Sequence, residues 1–180
     1  MLETVEIETA ASVDASIIWL HGLGADAHDF EPVVPELVSQ QERAWRFVFP
    51  NAPVRPVTIN GGMRIRAWYD IRSFDRSAAE DADGFVDSAI KVGELIAREV
   101  GRGVPCERIV LAGFSQGGAV SLYLAPRYPQ RLAGVMALSC YLPMASRLSS
   151  DRLPANDANA TPRPRGRQIE SFEMTRNRLT

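Results

Sequence analysis

The sequence predicts an α/β fold, a mostly parallel sheet with helices on both faces. Three observations point to it. Short apolar runs stopped by glycine or proline, "SIIWLHGLG", "RFVFP", "RIVLAG" and "LAGVMALSCYLP", have the unbroken hydrophobicity of strands buried on both sides. Segments of helical period lie between them, and alternating strands and helices make parallel sheets. A serine stands at one strand-to-helix turn, in "VLAGFSQGGAVSLYLA", residues 110–125.

The elements follow in order. Val5 and Ile7 alternate with glutamates, as in a half-exposed strand, and "ASIIWLHGLG" is a buried one. From Asp29 the residues Phe30, Val33, Val34, Leu37 and Val38 fall at i, i+3, i+4, i+7 and i+8, which predicts a helix capped by Asp29 with Pro32 in its first turn. After the strand "RFVFP" comes "NAPVRPVTINGGMRIRAWYDI", longer than a link requires and therefore a functional-loop candidate. A second helix is expected from about Asp83 to Val100. Its buried face is read as Phe85, Val86, Ala89, Ile90, Gly93, Ile96, Ala97 and Val100, and Asp87 and Lys91 form an i,i+4 pair. The strand "RIVLAG", a helix closed by Pro129, and the strand "LAGVMALSCYLP" complete the rhythm. It fails at about Ser146. The sequence thus divides into a core, 1–145, and an Arg- and Pro-containing polar tail, 146–180, expected to be mobile.

Composition narrows the function. A chain of 180 residues, 46% hydrophobic, supplies one self-sufficient core. A net charge of −2 leaves no basic footprint for nucleic acid, so a small-molecule partner is expected. "MLETVEIETA" lacks the charge and apolar run of a secretory signal, and "SIIWL" is too short to span a bilayer; a cytoplasmic protein with no membrane span is expected. Cys106 and Cys140 belong to no metal or redox pattern and read as buried or half-buried free thiols, with no metal and no cofactor implied.

Gly113-Phe114-Ser115-Gln116-Gly117 matches G-x-S-x-G between a buried strand and a helix, the context that gives this motif meaning. A sharp turn strains the serine and lifts its hydroxyl above the sheet edge, and glycine two residues to either side lets the neighbouring chain approach. The following helix favours negative charge beside that oxygen. "HGLGAD", residues 21–26, ends an earlier strand in a second glycine turn, so the amides of Leu23 and Gln116 are candidate oxyanion donors. A competing reading makes Ser115 a helix cap and the H-G-x-G segment a packing turn.

"WLHGLGAD", "PNAPVRPVTINGGMRIRAWYDI" and "GFSQGGAVS", in this order and spacing, resemble the bacterial carboxylesterase and acyl-protein thioesterase (phospholipase/carboxylesterase) family of small, lidless α/β-hydrolases. The resemblance runs from about Ser16 to about Pro143. It implies an α/β-hydrolase in which Ser115 is the nucleophile, Leu23 and Gln116 form the oxyanion hole, and the loop carrying Trp68 and Tyr69 borders the acyl groove, Trp68 being equally readable as a core aromatic. The implied substrate is a small-molecule acyl ester or thioester. One departure is specific. The family places its acid and then its histidine after the nucleophile, whereas both histidines here, His21 and His28, precede Ser115. Asp151 and Asp157 precede the strand that would carry the acid and cannot be matched to it. His21 is expected to orient the oxyanion loop and His28 to be solvated, with neither acting as base. The expectation is therefore a serine carboxylesterase-type hydrolase working through an acyl-enzyme, C-terminally incomplete and impaired in this chain, as a frameshift or truncation would leave it. The alternative is a non-catalytic acyl-ligand-binding or interaction domain. An open sheet edge around "LAGVMALSCYL" would favour a homodimer or aggregation.

Overall fold

A computed structural model describes residues 1–38, 43–73, 75 and 79–155. Five strands form the main sheet: β1 (Thr4–Glu8), β2 (Ala15–Leu20), β3 (Trp45–Pro50), β6 (Ile109–Phe114) and β7 (Gly134–Leu138), in spatial order β1-β3-β2-β6-β7. Only β1 runs antiparallel. A separate hairpin, β4 (Val54–Val57) and β5 (Met63–Arg66), lies within the long connection.

Strand period explains the two cores. Ile18 is in register with Val48 on one side and Leu111 on the other, and this row packs against α2 (Ala82–Gly101) and α3 (Gln116–Leu124) through Phe85, Val92, Ile96 and Val120. One residue along, Trp19 sits beside Ala112 and Ala112 beside Met136; with Phe47 and Phe49 they face α1 (Val34–Val38). Helices therefore cover both faces, as the unbroken apolar strands require.

Two helices depart from the sequence reading. The segment after Asp29 opens as a 3₁₀ turn over Glu31–Val33, with Phe30 and not Asp29 at the cap position and no side-chain cap, and only Val34–Val38 is α-helical. The i, i+3 spacing that suggested a long helix also suits a 3₁₀ turn, and Pro32 and Pro35 donate no helical hydrogen bonds. In α2, capped by Asp81 through Gly84 N at 3.2 Å, the buried face is Phe85, Ser88, Val92, Leu95, Ile96 and Glu99. Val86, Ile90 and Val100 are 46%, 61% and 38% exposed. Phe85 and Ile96 are buried as read, but hydrophobicity shifted the rest of the stripe because the sheet-facing one contains two polar residues whose partners lie elsewhere in the sequence. Ser88 donates to Trp68 O, and the fully buried Glu99 accepts from Ser16 Oγ at 2.7 Å and Arg46 Nη1 at 2.8 Å. The expected Asp87–Lys91 pair forms.

Residues Ala145–Asp151 form a short helix, α4, tied back by Arg127 Nη2 to Asp151 Oδ2 at 3.0 Å. The polar segment read from Ser146 thus begins inside an element, while residues 156–180, Asp157 among them, lie outside the described residues. Cys106 is buried and Cys140 half-buried, both as free thiols. Among the described residues no helix is long and apolar enough to cross a membrane.

Candidate active site

From β2 the chain passes to β3 on one side, and β6 lies on the other, so the carboxyl ends of β2 and β6 flank a topological switch point. Ligand sites of open parallel sheets form at such crevices. Ser115 follows β6 with φ 51° and ψ −114°, a left-handed conformation costing an L-residue about 1–3 kcal/mol. Its N–H donates to Leu138 O at 2.8 Å and its carbonyl accepts from Ala119 N at 3.0 Å. The side chain makes no cap hydrogen bond, contrary to the helix-cap reading. The flanking glycines are steric necessities: a Cβ on Gly113 would stand 2.4 Å from the Gly117 carbonyl, and one on Gly117 2.4 Å from Leu20 O.

The His21–Gly24 turn leaves β2 alongside this elbow. A Cβ built on Gly22 would meet Ser115 Cβ at 3.7 Å, and Gly24, at φ 74°, donates to Arg66 O at 2.9 Å. The amides of Leu23 and Gln116 donate to no group among the described residues. For Gln116, the first residue of α3, helical geometry dictates this, and the helix end adds a favourable field for an anion.

A cleft of about 810 Å³ opens at Ser115, bounded by Tyr69, Glu80, Ser139, Tyr141 and Met144. Tyr69 lines it, its ring stacked on Phe85 at 4.0 Å. Burial, with a hydrogen bond to Tyr141, pushes the Tyr69 phenol far above its ordinary pKa, so it stays protonated. Tyr141 also hydrogen-bonds Glu80, whose Oε2 accepts from Met144 N at 2.9 Å. Trp68 does not line the cleft: it is 0% exposed, its N–H donates to Gln116 Oε1 at 2.8 Å and its indole Nε1–H to His21 O at 2.9 Å. The aromatic pair thus divides, Tyr69 to the cleft and Trp68 to the core. Sequence reasoning missed Glu80, in an aperiodic segment with no motif, and Tyr141, which it includes in a buried strand but which lies beyond the end of β7 at Leu138, and it missed the Gln116 side chain, hidden behind that residue's backbone role.

Both nitrogens of His21 are engaged elsewhere, and His28 is not among the residues that line the Ser115 cleft. His21 is 1% exposed, with Nδ1 2.7 Å from Gly22 O and Nε2 accepting from Ala52 N at 3.0 Å, so both nitrogens are engaged. An acceptor at Nε2 requires the neutral, Nδ1-protonated ring, and burial lowers its pKa in agreement. His28 is 69% exposed and paired with Glu31.

Comparison with known proteins gives a consistent result. The phospholipase/carboxylesterase family profile matches residues 3–162. An acyl-protein thioesterase 1 of Schizosaccharomyces pombe is 43% identical over 149 residues, covering 83% of this chain and 66% of that protein. An acyl-protein thioesterase 1 of Cryptococcus neoformans is 40% identical over 146 residues, covering 79% of this chain and 61% of that one. The chain therefore spans less than two thirds of the length of these relatives. Among solved structures, Arabidopsis thaliana SOBER1 superposes with a TM-score of 0.73 at 31% identity, over 78% of this chain and 68% of that one. Zea mays acyl-protein thioesterase 2 gives 0.68 at 28% identity, over 84% of this chain and 67% of that one. With the elbow, the switch point and the profile match in agreement, the chain belongs to the phospholipase/carboxylesterase family of α/β-hydrolases.

Proposed function

We propose that Ser115 is the nucleophile of a serine hydrolase that cleaves short or medium acyl esters or thioesters through an acyl-enzyme. The supporting observation is the strained, uncapped Ser115 at the mouth of a cleft, beside two amides with no acceptor among the described residues. In this reading Ser115 Oγ attacks the acyl carbonyl, the carbonyl oxygen becomes an oxyanion facing the Leu23 and Gln116 amides, and the alcohol or thiol departs. Tyr69 walls the acyl side. The attack requires a base to take the serine proton; both nitrogens of His21 are engaged, and His28 is not among the residues that line the Ser115 cleft.

The 180-residue chain alone is accordingly proposed to be a slow catalyst. Preorganised donors and binding retain roughly 10³–10⁴ over water when a triad member is missing, while turnover falls by about 10⁴–10⁶. That neither histidine lines the Ser115 cleft also favours a second reading, an acyl-ligand-binding domain without turnover. Hydrolysis of an aryl ester and an aryl thioester by the purified chain separates the two. A rate above the solvent background that saturates with substrate supports the hydrolase. Saturable binding with no rate above background supports the binding domain. Because triad members act as a unit, Ser115→Ala should lower the residual rate by less than about tenfold.

A further inference from the structure

We propose that Trp68 and the Gln116 carboxamide form a strut that sets the spacing between the two oxyanion donors, the amides of Leu23 and Gln116, making both side chains positioning residues for acyl transfer. This rests on the reading of Ser115 as the nucleophile. Trp68 and Tyr69 are almost fully buried yet belong to no strand, so their backbone polar groups depend on side chains. Gln116, 2% exposed, satisfies two of them: Oε1 accepts from Trp68 N at 2.8 Å and Nε2 donates to Tyr69 O at 2.7 Å. The indole Nε1–H of Trp68 reaches the other side, to His21 O at 2.9 Å.

These contacts link the two turns. From Ser115 the path runs to Gln116, through the carboxamide to Trp68 and through the indole to His21, whose carbonyl lies so close to Gly117, next to Gln116, that a Cβ there would stand 2.6 Å from it. Leu23 N hangs from one side and Gln116 N from the other. The carboxamide has one allowed orientation, since a flip would set N–H against N–H and carbonyl against carbonyl. Losing it leaves two buried backbone groups unpaired and frees the turn that carries Leu23.

Gln116→Glu makes the idea testable within one protein. An ionised carboxylate accepts from Trp68 N but opposes Tyr69 O; the protonated acid offers an O–H and a carbonyl, and restores both bonds. Gln116→Met removes both at every pH. Around this position stand His21, held neutral by burial, the Tyr69 and Tyr141 phenols and the Cys140 thiol, all raised by burial, with Asp70, Arg72, Asp75, Glu80 and Asp81 along the cleft. Burial raises the introduced carboxyl as well.

The test is hydrogen exchange by mass spectrometry on the 180-residue chain, each variant compared with wild type at the same pH. At about pH 7.5 both variants should exchange at least about tenfold faster over residues 20–25 and 67–70 together. Near pH 5, Gln116→Glu should return to within about twofold of wild type while Gln116→Met stays fast. Loosening of 67–70 without 20–25, or a Gln116→Glu profile indifferent to pH, overturns the strut. A second measurement addresses the underlying reading: phosphonylation of Ser115 by an alkyl fluorophosphonate, in which the Oγ–P bond forms, P–F breaks, and fluoride and the serine proton leave. Its rate, relative to wild type, should follow the same pH pattern. Exchange as expected with wild-type Ser115 unmodified would overturn the nucleophile reading, and with it the strut's catalytic role.

Discussion

At the scale of single residues, the site is built from backbone conformations that cost energy. Ser115 holds φ 51° in a turn that packs closely because Gly113 and Gly117 carry no Cβ, which at either position would stand 2.4 Å from neighbouring backbone. Relieving that strain should stabilise the protein. Ser115→Gly, which tolerates these angles, is expected to raise stability by roughly 1 kcal/mol, whereas Ser115→Ala retains the strain and should change it little. Urea midpoints measure the contrast, and equal midpoints would show the elbow to be unstrained. The elbow was legible in the sequence because its glycines are a local steric requirement. The placement of Trp68 was not, because the groups that claim it, Gln116 and the His21 carbonyl, lie 48 and 47 residues away. An aromatic residue in a long loop reads the same whether it faces ligand or core.

At the scale of elements, the strands were legible and the helix faces less so. A strand buried on both sides needs only an apolar run, and β2, β3 and β6 have one. Helix α2 carries two apolar stripes, and the choice between them depends on Ser88 and Glu99 finding partners on other elements. Stability measurements on two variants test the assignment. Glu99→Ala would leave Arg46 and Ser16 without their buried acceptor and should cost roughly 3–5 kcal/mol. Ile90→Glu, on the stripe that hydrophobicity selected, should cost no more than about 0.5 kcal/mol because Ile90 is 61% exposed. The reverse order would put the other face against the sheet.

For the whole molecule, the pattern of strands and helices conveyed the layer architecture, while the antiparallel edge strand β1 and the strand order required long-range pairing that no local pattern encodes. Coupling between site and fold should appear in acid. Burial lowers the His21 pKa below its ordinary 6.5, so the unfolded chain binds that proton first and stability falls as pH drops below about 6.5. A second decline is expected below the ordinary aspartate value of 3.8. Burial raises the Asp70 carboxyl, but hydrogen bonds from the Thr58 side chain and backbone outweigh it, so stability present above 3.8 is lost as pH falls through the lowered value. Denaturation across about pH 2–8 measures both. His21→Gln should abolish the first decline and keep the second, and a variant that retains the first would assign it to another group.

The central claim is a preorganised nucleophile whose base is neither histidine of this chain. Timed exposure of the 180-residue protein to an alkyl fluorophosphonate, with the adduct located by mass spectrometry, tests it most directly. The account predicts one slowly formed adduct, on Ser115, at a rate unchanged in His28→Ala. Modification elsewhere, or rapid modification of Ser115 that His28→Ala abolishes, would contradict it.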